Sequence, residues 1–203
     1  MGNLNKMELG ALWDIVRLLA DGQYHSGESL GAQLGLSRAA VWKHLQKLES
    51  FGISLLSVKG RGYCIEGGLD LLDSVKIRSN LQSIPNLKLS IFPLLDSTNS
   101  FLARESNPAQ QVCLAEFQTA GRGRRGRAWV SPLAQNIYCS IGWGFDGGVA
   151  ALEGLSLAVG VAVARTLKKL GISDIALKWP NDVLYFEKKL AGILIEVIGD
   201  PAG

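Results

Sequence analysis

Apolar positions in the first third of the chain recur every three or four residues, and this spacing predicts helices. The first amphipathic pattern runs from Leu9 to Ala20 and ends at Asp21-Gly22. Ser26 precedes a second short pattern that Gly35 ends, so we expect it to cap a helix. Ser37 should cap a third helix over residues 38–50. Two helices joined by a short turn that contains glycine predict a helix-turn-helix.

Two short strand-like segments follow the third helix, at residues 53–58 and 63–65, around the basic turn Lys59-Gly60-Arg61-Gly62. A hairpin behind a helix-turn-helix is typical of a winged helix, so residues 1–66 are predicted to bind DNA, with helix 3 in the major groove. A surface for protein contacts is the alternative, because helix-turn-helix geometry also serves protein binding, and the seven Lys/Arg against six Asp/Glu in this region do not separate the two. The candidate DNA contacts are Ser37, Arg38, Trp42, Lys43, Lys47, Lys59 and Arg61.

The composition of the chain changes after Gly67-Gly68. Residues 67–82 are predicted to form a linker with an amphipathic lever helix over 69–81. From residue 83 to residue 203, strand patterns at 87–95, 112–117, 136–143, 175–177, 183–186 and 190–198 alternate with helix patterns at 100–105 and 152–170. The prediction is an α+β chain: a winged helix-turn-helix followed by a mixed-sheet α/β domain with polar residues at its strand ends.

Composition and charge narrow the class of protein. Of 203 residues, 47% are apolar and 19% charged, which supports a folded core and argues against a disordered chain. No apolar run reaches membrane-spanning length, so no membrane partner is expected. The three cysteines are far apart and form no CxxC pair, which disfavours disulfides and zinc and indicates a reducing cytoplasm. The net charge of +3 means that nucleic-acid binding must depend on local patches.

Gly121 to Arg127 is the most unusual stretch of the second region, with four arginines and three glycines in seven residues. Glycine lets the backbone approach a ligand closely, and arginine offers planar forks for carboxylate or phosphate oxygens. The spacing also matches the dinucleotide fingerprint GxGxxG, but Ala128–Pro132 predict a strand and turn where that motif needs a helix. We therefore predict an anion-binding loop, with nonspecific RNA contact as the alternative.

Histidine placement limits the chemistry of the second region. The two histidines, His25 and His44, both lie in the first 66 residues, so no histidine general base is available beyond them. The region offers cations instead, on the Arg/Gly loop and at Lys178, which directly precedes Trp179-Pro180. Reactions that depend on positioning and charge neutralisation, such as phosphoryl or nucleotidyl transfer, suit this set.

Three motifs together resemble the biotin–protein ligases. They are Asp96-Ser97-Thr98-Asn99, the segment from Gln118 through Trp129, and Lys178-Trp179-Pro180-Asn181-Asp182 followed by Lys189-Leu190-Ala191-Gly192-Ile193-Leu194. With a winged helix in front, the chain is similar to the bifunctional bacterial type, which also represses the biotin operon. The resemblance implies a biotin/lipoate-ligase-type catalytic domain that makes biotinyl-5′-AMP from biotin and Mg²⁺·ATP. It further implies transfer of biotin to a lysine of the biotin carboxyl carrier protein, and an adenylate-dependent homodimer on operator DNA.

The resemblance also implies site residues. Lys178, Arg122 and Arg124 would be catalytic, and Trp129 would pack on the adenylate. The implied biotin-binding residues are Ser97, Thr98, Asn99, Gln118, Gly121, Arg122, Gly123, Arg124, Lys178 and Gly199. No protein metal ligands are predicted. Family members continue past the point where this chain stops, with a further strand, an adenylate-ordering loop and a small C-terminal domain, so the catalytic domain is expected to be incomplete at its C-terminal side.

Two other functions fit the same pattern. Lipoate ligases share this fold and adenylate chemistry, although the polar side chains of Ser97, Thr98, Asn99 and Gln118 suit a ureido ring better than a dithiolane. A transcription factor whose second domain senses a ligand without catalysis is the other alternative.

Overall fold

The computed structural model describes residues 6–145 and 149–198, and its first three helices are α1 (Lys6–Leu19), α2 (Gly27–Leu34) and α3 (Arg38–Lys47). The two predicted caps are confirmed: the Ser26 hydroxyl accepts from the Ser29 N–H, and the Ser37 hydroxyl from the Ala40 N–H. Helix α3 is shorter than predicted because the chain tightens into a 3₁₀ turn over Leu48–Phe51.

The wing is an antiparallel hairpin of β1 (Leu56–Val58) and β2 (Gly62–Cys64), as predicted. The backbone of His25 pairs with Tyr63 through two hydrogen bonds of 2.9 and 2.8 Å, which ties the wing to the segment before α2. Gly62 has φ of 106°, and a Cβ there would lie 2.2 Å from the His25 carbonyl oxygen. Only glycine fits this junction.

The core of the winged helix continues into the second part of the chain. Its buried side chains come from α1 to α3, from the 3₁₀ turn after α3 and from Ile53 and Ile65, and Phe117 and Leu133 complete the same cluster. The rings of Phe51 and Phe117 meet edge-on with their centroids 4.9 Å apart. The Leu133 N–H also donates to the Phe51 carbonyl at 2.9 Å. Residues separated widely along the chain therefore share one interior.

The linker is less helical than predicted, because α4 spans only Ser74–Asn80. Asp73 caps it by accepting from the N–H groups of Val75 and Lys76. Before the cap, the Leu72 N–H donates to the buried carboxyl of Glu116 at 2.6 Å. This contact holds the first part of the linker, outside any helix, against the second part of the chain.

The second part contains two three-stranded sheets in the described residues. In the first, β3 (Lys88–Phe92) runs parallel to β4 (Gln111–Ala115), and β4 pairs antiparallel with β5 (Tyr138–Ile141). Helix α5 (Thr98–Ala103) connects β3 to β4. The prediction of a mixed sheet in an α+β chain is confirmed.

The second sheet is antiparallel, in the order β6 (Ile175–Lys178), β7 (Asp182–Tyr185) and β8 (Lys188–Gly192), and α6 (Leu155–Lys169) packs against it. The predicted strand over 190–198 is wrong beyond Gly192. A strand needs a neighbour for its backbone groups, and among the described residues the pairing extends only to the Ile193 N–H, which donates to the Asn181 carbonyl. No helix of the described part is long and apolar enough to cross a membrane.

Candidate active site

Two chain segments that leave neighbouring parallel strands bring the first polar residues of the site together. Ser97, Thr98 and Asn99 start α5 shortly after β3, and Gln118 follows β4. A backbone bridge between Leu95 and Gln118 extends the strand pairing to this point. The Gln118 Oε1 then accepts from the Thr98 N–H at 2.9 Å and lies 3.2 Å from the Thr98 hydroxyl.

A line of polar side chains runs through this point, and we call Ser131, Gln118, Thr98, Ser140 and Asn99 the polar chain. At one end the Gln118 Nε2 donates to the Ser131 hydroxyl at 3.3 Å. Toward the other end, the Ser140 hydroxyl contacts the Thr98 hydroxyl at 2.7 Å and the Asn99 Oδ1. Ser131, Thr98 and Ser140 are buried, so the polar chain offers fixed hydrogen-bond donors and acceptors inside the protein.

Glu196 links the polar chain to the Arg/Gly loop. Its Oε2 accepts from the Asn99 Nδ2 at 2.9 Å and from the Arg122 Nη2 at 3.2 Å. The three side chains thus meet at one carboxylate oxygen, at the partly exposed edge of the site.

The Arg/Gly loop is a short hairpin. The Trp129 N–H donates to the Gly121 carbonyl at 2.9 Å, and the Gly123 N–H to the Arg127 carbonyl at 2.7 Å. A Cβ on Gly121 would lie 2.9 Å from the Ser131 Oγ and 3.0 Å from the Gln118 Nε2, so glycine lets the loop lie directly on the polar chain. The loop then carries the arginine side chains out to solvent.

The second sheet closes the other side of the loop. The Arg124 Nη1 donates to the Asn181 Oδ1 at 3.1 Å, and the Asn181 Nδ2 donates to the Ile193 carbonyl at 3.0 Å. Asn181 lies in the turn after Lys178, the last residue of β6, and this turn contains a cis peptide bond between Trp179 and Pro180. Arg124 is therefore joined to the turn that presents Lys178.

Trp129 lies between the loop and β8. The Lys189 ammonium lies 5.1 Å from the centre of the indole and 2.7 Å from the Asp182 Oδ1. The outer ring atoms of Trp129 contact Gly192.

The electrostatics of the site favour binding over nucleophilic catalysis by the protein. Burial raises the pKa of the Cys113 thiol to about 12, so this thiol supplies no thiolate at neutral pH. The Arg104 guanidinium, 2.7 Å from Asp96, lowers the pKa of that carboxyl. The described residues contain no group of three or more His, Cys, Asp or Glu arranged for a metal ion. What remains is a buried set of hydrogen-bonding groups beside exposed cations, which suits an anionic ligand with a polar body.

Comparison with known proteins agrees with this description. Residues 91–202 match the biotin/lipoate A/B protein ligase family, and residues 12–64 match a helix-turn-helix domain. The chain belongs to the biotin/lipoate A/B protein ligase family.

The relatives of this family member include two curated bacterial proteins called bifunctional ligase/repressor BirA. The protein of Salmonella typhimurium is 45% identical over 187 residues, which cover 91% of this chain and 58% of the relative. The protein of Escherichia coli is 43% identical, covering 91% and 57%. The chain thus spans somewhat over half the length of these curated relatives. A biotin protein ligase of Aquifex aeolicus, solved with biotin and ATP, is 34% identical, with a TM-score of 0.48 over 56% of this chain and 48% of that one.

The structure brings most of the predicted ligase-family site residues near one another. Thr98, Asn99 and Gln118 belong to the polar chain, Gly121 lies against it, and Arg122 and Asn99 share Glu196. Ser97 is buried with its hydroxyl accepting from the Ser100 N–H, so it caps α5. Gly199 lies outside the described residues.

Four residues that contact this set were not among the predicted sites: Ser131, Ser140, Asn181 and Glu196. Asn181 could have been found, because it belongs to the motif that starts at Lys178. Ser140 carried a fainter signal, since strand alternation places it on the same buried face as Tyr138. Nothing in the local sequence marks Glu196, which lies beyond the last strand.

The winged helix presents the predicted DNA contacts on its surface. Trp42 is 53% exposed, and Arg38, Lys43, Lys59 and Arg61 are also exposed. The guanidinium carbon of Arg61 lies 4.0 Å from the centre of the Tyr24 ring, and this cation–π contact holds the Arg61 side chain in place. Two predicted residues have other contacts: Ser37 caps α3, and the Lys47 ammonium lies 3.6 Å from Glu8.

Proposed function

We propose that this chain is part of an ATP-dependent biotin–protein ligase that also represses transcription. The observation that carries the proposal is the polar chain, which runs from buried Ser131 to Asn99 and ends beside Arg122. A ureido ring offers two N–H donors and a carbonyl acceptor, which suit alternating hydroxyl and amide groups. The carboxylate at the other end of biotin would then meet the Arg/Gly loop.

The first step joins two anions and needs no protein base. A carboxylate oxygen of biotin attacks the α-phosphorus of ATP, the bond to the bridging oxygen breaks, and pyrophosphate leaves with biotinyl-5′-AMP remaining. Arg122 and Arg124 would hold the carboxylate and the phosphate oxygens, with the loop backbone at Gly121 and Gly123 close to them. Lys178 would neutralise the charge that develops on the bridging oxygen.

The second step transfers the acyl group. A neutral lysine amine of the biotin carboxyl carrier protein attacks the carbonyl carbon of the mixed anhydride and loses one proton to water as the amide bond forms. AMP leaves with the electron pair of the broken carbon–oxygen bond. Trp129 would pack on the adenine, and Gly199 would give a backbone contact to biotin. Mg²⁺ would enter with the phosphates of ATP. We place the reaction in the cytoplasm, where the three free cysteines stay reduced.

The direct experiment offers the full-length protein biotin, ATP and a carrier-protein acceptor. Mass spectrometry should show one biotinyl group added to the acceptor lysine. Lipoate in place of biotin tests the lipoate-ligase alternative, because the family includes both. Pyrophosphate exchange into ATP, dependent on biotin, tests the adenylation step alone. A protein that binds biotin but supports neither exchange nor transfer would be a ligand sensor without catalysis.

The repressor activity rests on the winged helix and on pairing of two copies. One winged helix offers few exposed cations, so tight binding to an operator should require two copies on a pseudo-palindromic site. We propose that biotinyl-5′-AMP promotes this homodimer, because it would order the loops next to the second sheet. Sedimentation with and without the adenylate tests it. A monomer under both conditions, at concentrations where operator DNA is occupied, would exclude the dimer.

A further inference from the structure

Glu196 joins the Asn99 end of the polar chain to the Arg/Gly loop. One of its carboxylate oxygens accepts from both Asn99, the last member of the polar chain, and Arg122, the first arginine of the loop. These two side chains are separated by more than twenty residues along the chain, and Glu196 by far more. A ligand carboxylate that accepts from the Arg122 Nη2 beside Asn99 would compete with Glu196 for this donor.

The geometry points to Glu196 as an internal counter-ion that competes with the substrate carboxylate for Arg122. This inference rests on the proposed ligase function, because it takes biotin as the acid that enters the site. In the ligand-free protein Glu196 neutralises Arg122 and keeps its guanidinium next to Asn99. When the acid binds, its carboxylate replaces the Glu196 oxygen on Arg122, and the Glu196 side chain turns to solvent.

The exposure of the pair makes such an exchange easy. The side chains of Arg122 and Glu196 retain 47% and 35% of their solvent exposure. Ion pairs at this level of exposure are weak, so a second carboxylate can displace the first without a large loss. The Asn99 amide belongs to the polar chain through Ser140 and does not need Glu196 to stay in place. Removing the Glu196 charge should therefore leave the site assembled and Arg122 free for the ligand.

The test measures binding of biotin and of its neutral amide to the full-length protein by calorimetry. Glu196→Gln keeps an oxygen that can accept from Asn99 but removes the charge. We expect this variant to bind biotin about two- to fivefold more tightly than wild type at low salt. Biotin amide should bind both proteins equally, and the difference for biotin should shrink at high salt because screening weakens the competition. Glu196→Ala should likewise bind biotin more tightly than wild type and bind biotin amide equally.

Three results would overturn the inference. Unchanged or weaker binding of biotin to Glu196→Gln would mean that Glu196 does not compete for Arg122. Equal gains for biotin and its amide would indicate a change of shape rather than of charge. If wild type binds neither compound, the ligase function itself fails and the inference fails with it. In the first two cases wild type still binds biotin, so the counter-ion role of Glu196 is overturned while the proposed ligase function stands.

Discussion

Trp129 and Gly192 are in direct contact, and a Cβ on Gly192 would lie 3.0 Å from two atoms of the indole ring. The missing side chain lets β8 support the tryptophan that we assign to the adenylate. Gly192→Ala should push the ring away, since few real Cβ contacts are this short. We expect weaker binding of ATP with little change in binding of biotin, measured by separate titrations.

Gly160→Ala is the matched control for this substitution. Gly160 lies in α6, where a Cβ would meet only ordinary contacts at 3.4 and 3.5 Å. Alanine in a helix interior should raise the free energy of unfolding by about 0.5–1 kcal/mol and leave ATP binding unchanged. Equal losses of ATP binding in both variants would contradict the role of the Trp129 contact.

Lys178→Ala should slow adenylation far more than it weakens biotin binding. A group that meets charge developing in the transition state typically contributes about 2.7–4 kcal/mol to the rate. Lys178→Arg should restore only part of it, because the guanidinium is larger and planar. Biotin-dependent pyrophosphate exchange measures the rate, with Lys188→Ala in β8 as a control that removes a cation from the other end of the same sheet. A rate for Lys178→Ala within about threefold of wild type would refute the role.

Replacing Lys59 and Arg61 together by alanine should weaken DNA binding and leave ligation intact. Each phosphate contact contributes about 0.9 to the slope of log K against log salt, so the slope should flatten by about two. Fluorescence anisotropy on duplex DNA over a salt series gives the slope. Lys168→Ala with Lys169→Ala removes the same charge from α6 and should leave the slope unchanged. A steep slope in the wing variant would place the phosphates elsewhere.

His44 should make the protein less stable as the pH falls. Its side chain is 9% exposed in α3, and burial is the main reason that its pKa is lowered, with the nearby Lys47 adding to the effect and Glu8 opposing it. The unfolded chain then binds the proton first, so the free energy of unfolding should decrease once the pH drops below the ordinary pKa of about 6.5. His44→Leu should reduce this dependence, whereas His25→Asn should retain it. Urea titrations at several pH values measure both, and identical pH profiles for wild type and His44→Leu would rule out the effect.

Local signals predicted much of the fold. Ser26 and Ser37 marked two helix starts correctly because a cap is a contact within three residues. The cap at Asp73 is an equally local signal, but the apolar run from Leu69 predicted an earlier helix start. The helix begins only after Asp73. The end of β8 at Gly192 could not be predicted, because it depends on which strand lies alongside.

The candidate site was predictable where residue type and motif carried the chemistry. Gln118 and the Arg/Gly loop combine unusual residues with strand ends, and both signals are local. The link between Asn99 and Glu196 is different, because 97 residues separate them and neither position is unusual by itself. Only the folded chain brings the carboxylate to the loop.

The shared interior of the two parts changes what a break in the linker would mean. Phe117 packs against Phe51 in the core of the winged helix, while the next residue, Gln118, holds Thr98 in the site. A protease that cuts the chain near Gly67-Gly68 would break the covalent linker but leave the packing between the two parts in place. The two fragments should migrate together under native conditions and separate only in denaturant. A native sizing measurement alone would therefore not reveal that the backbone had been cut.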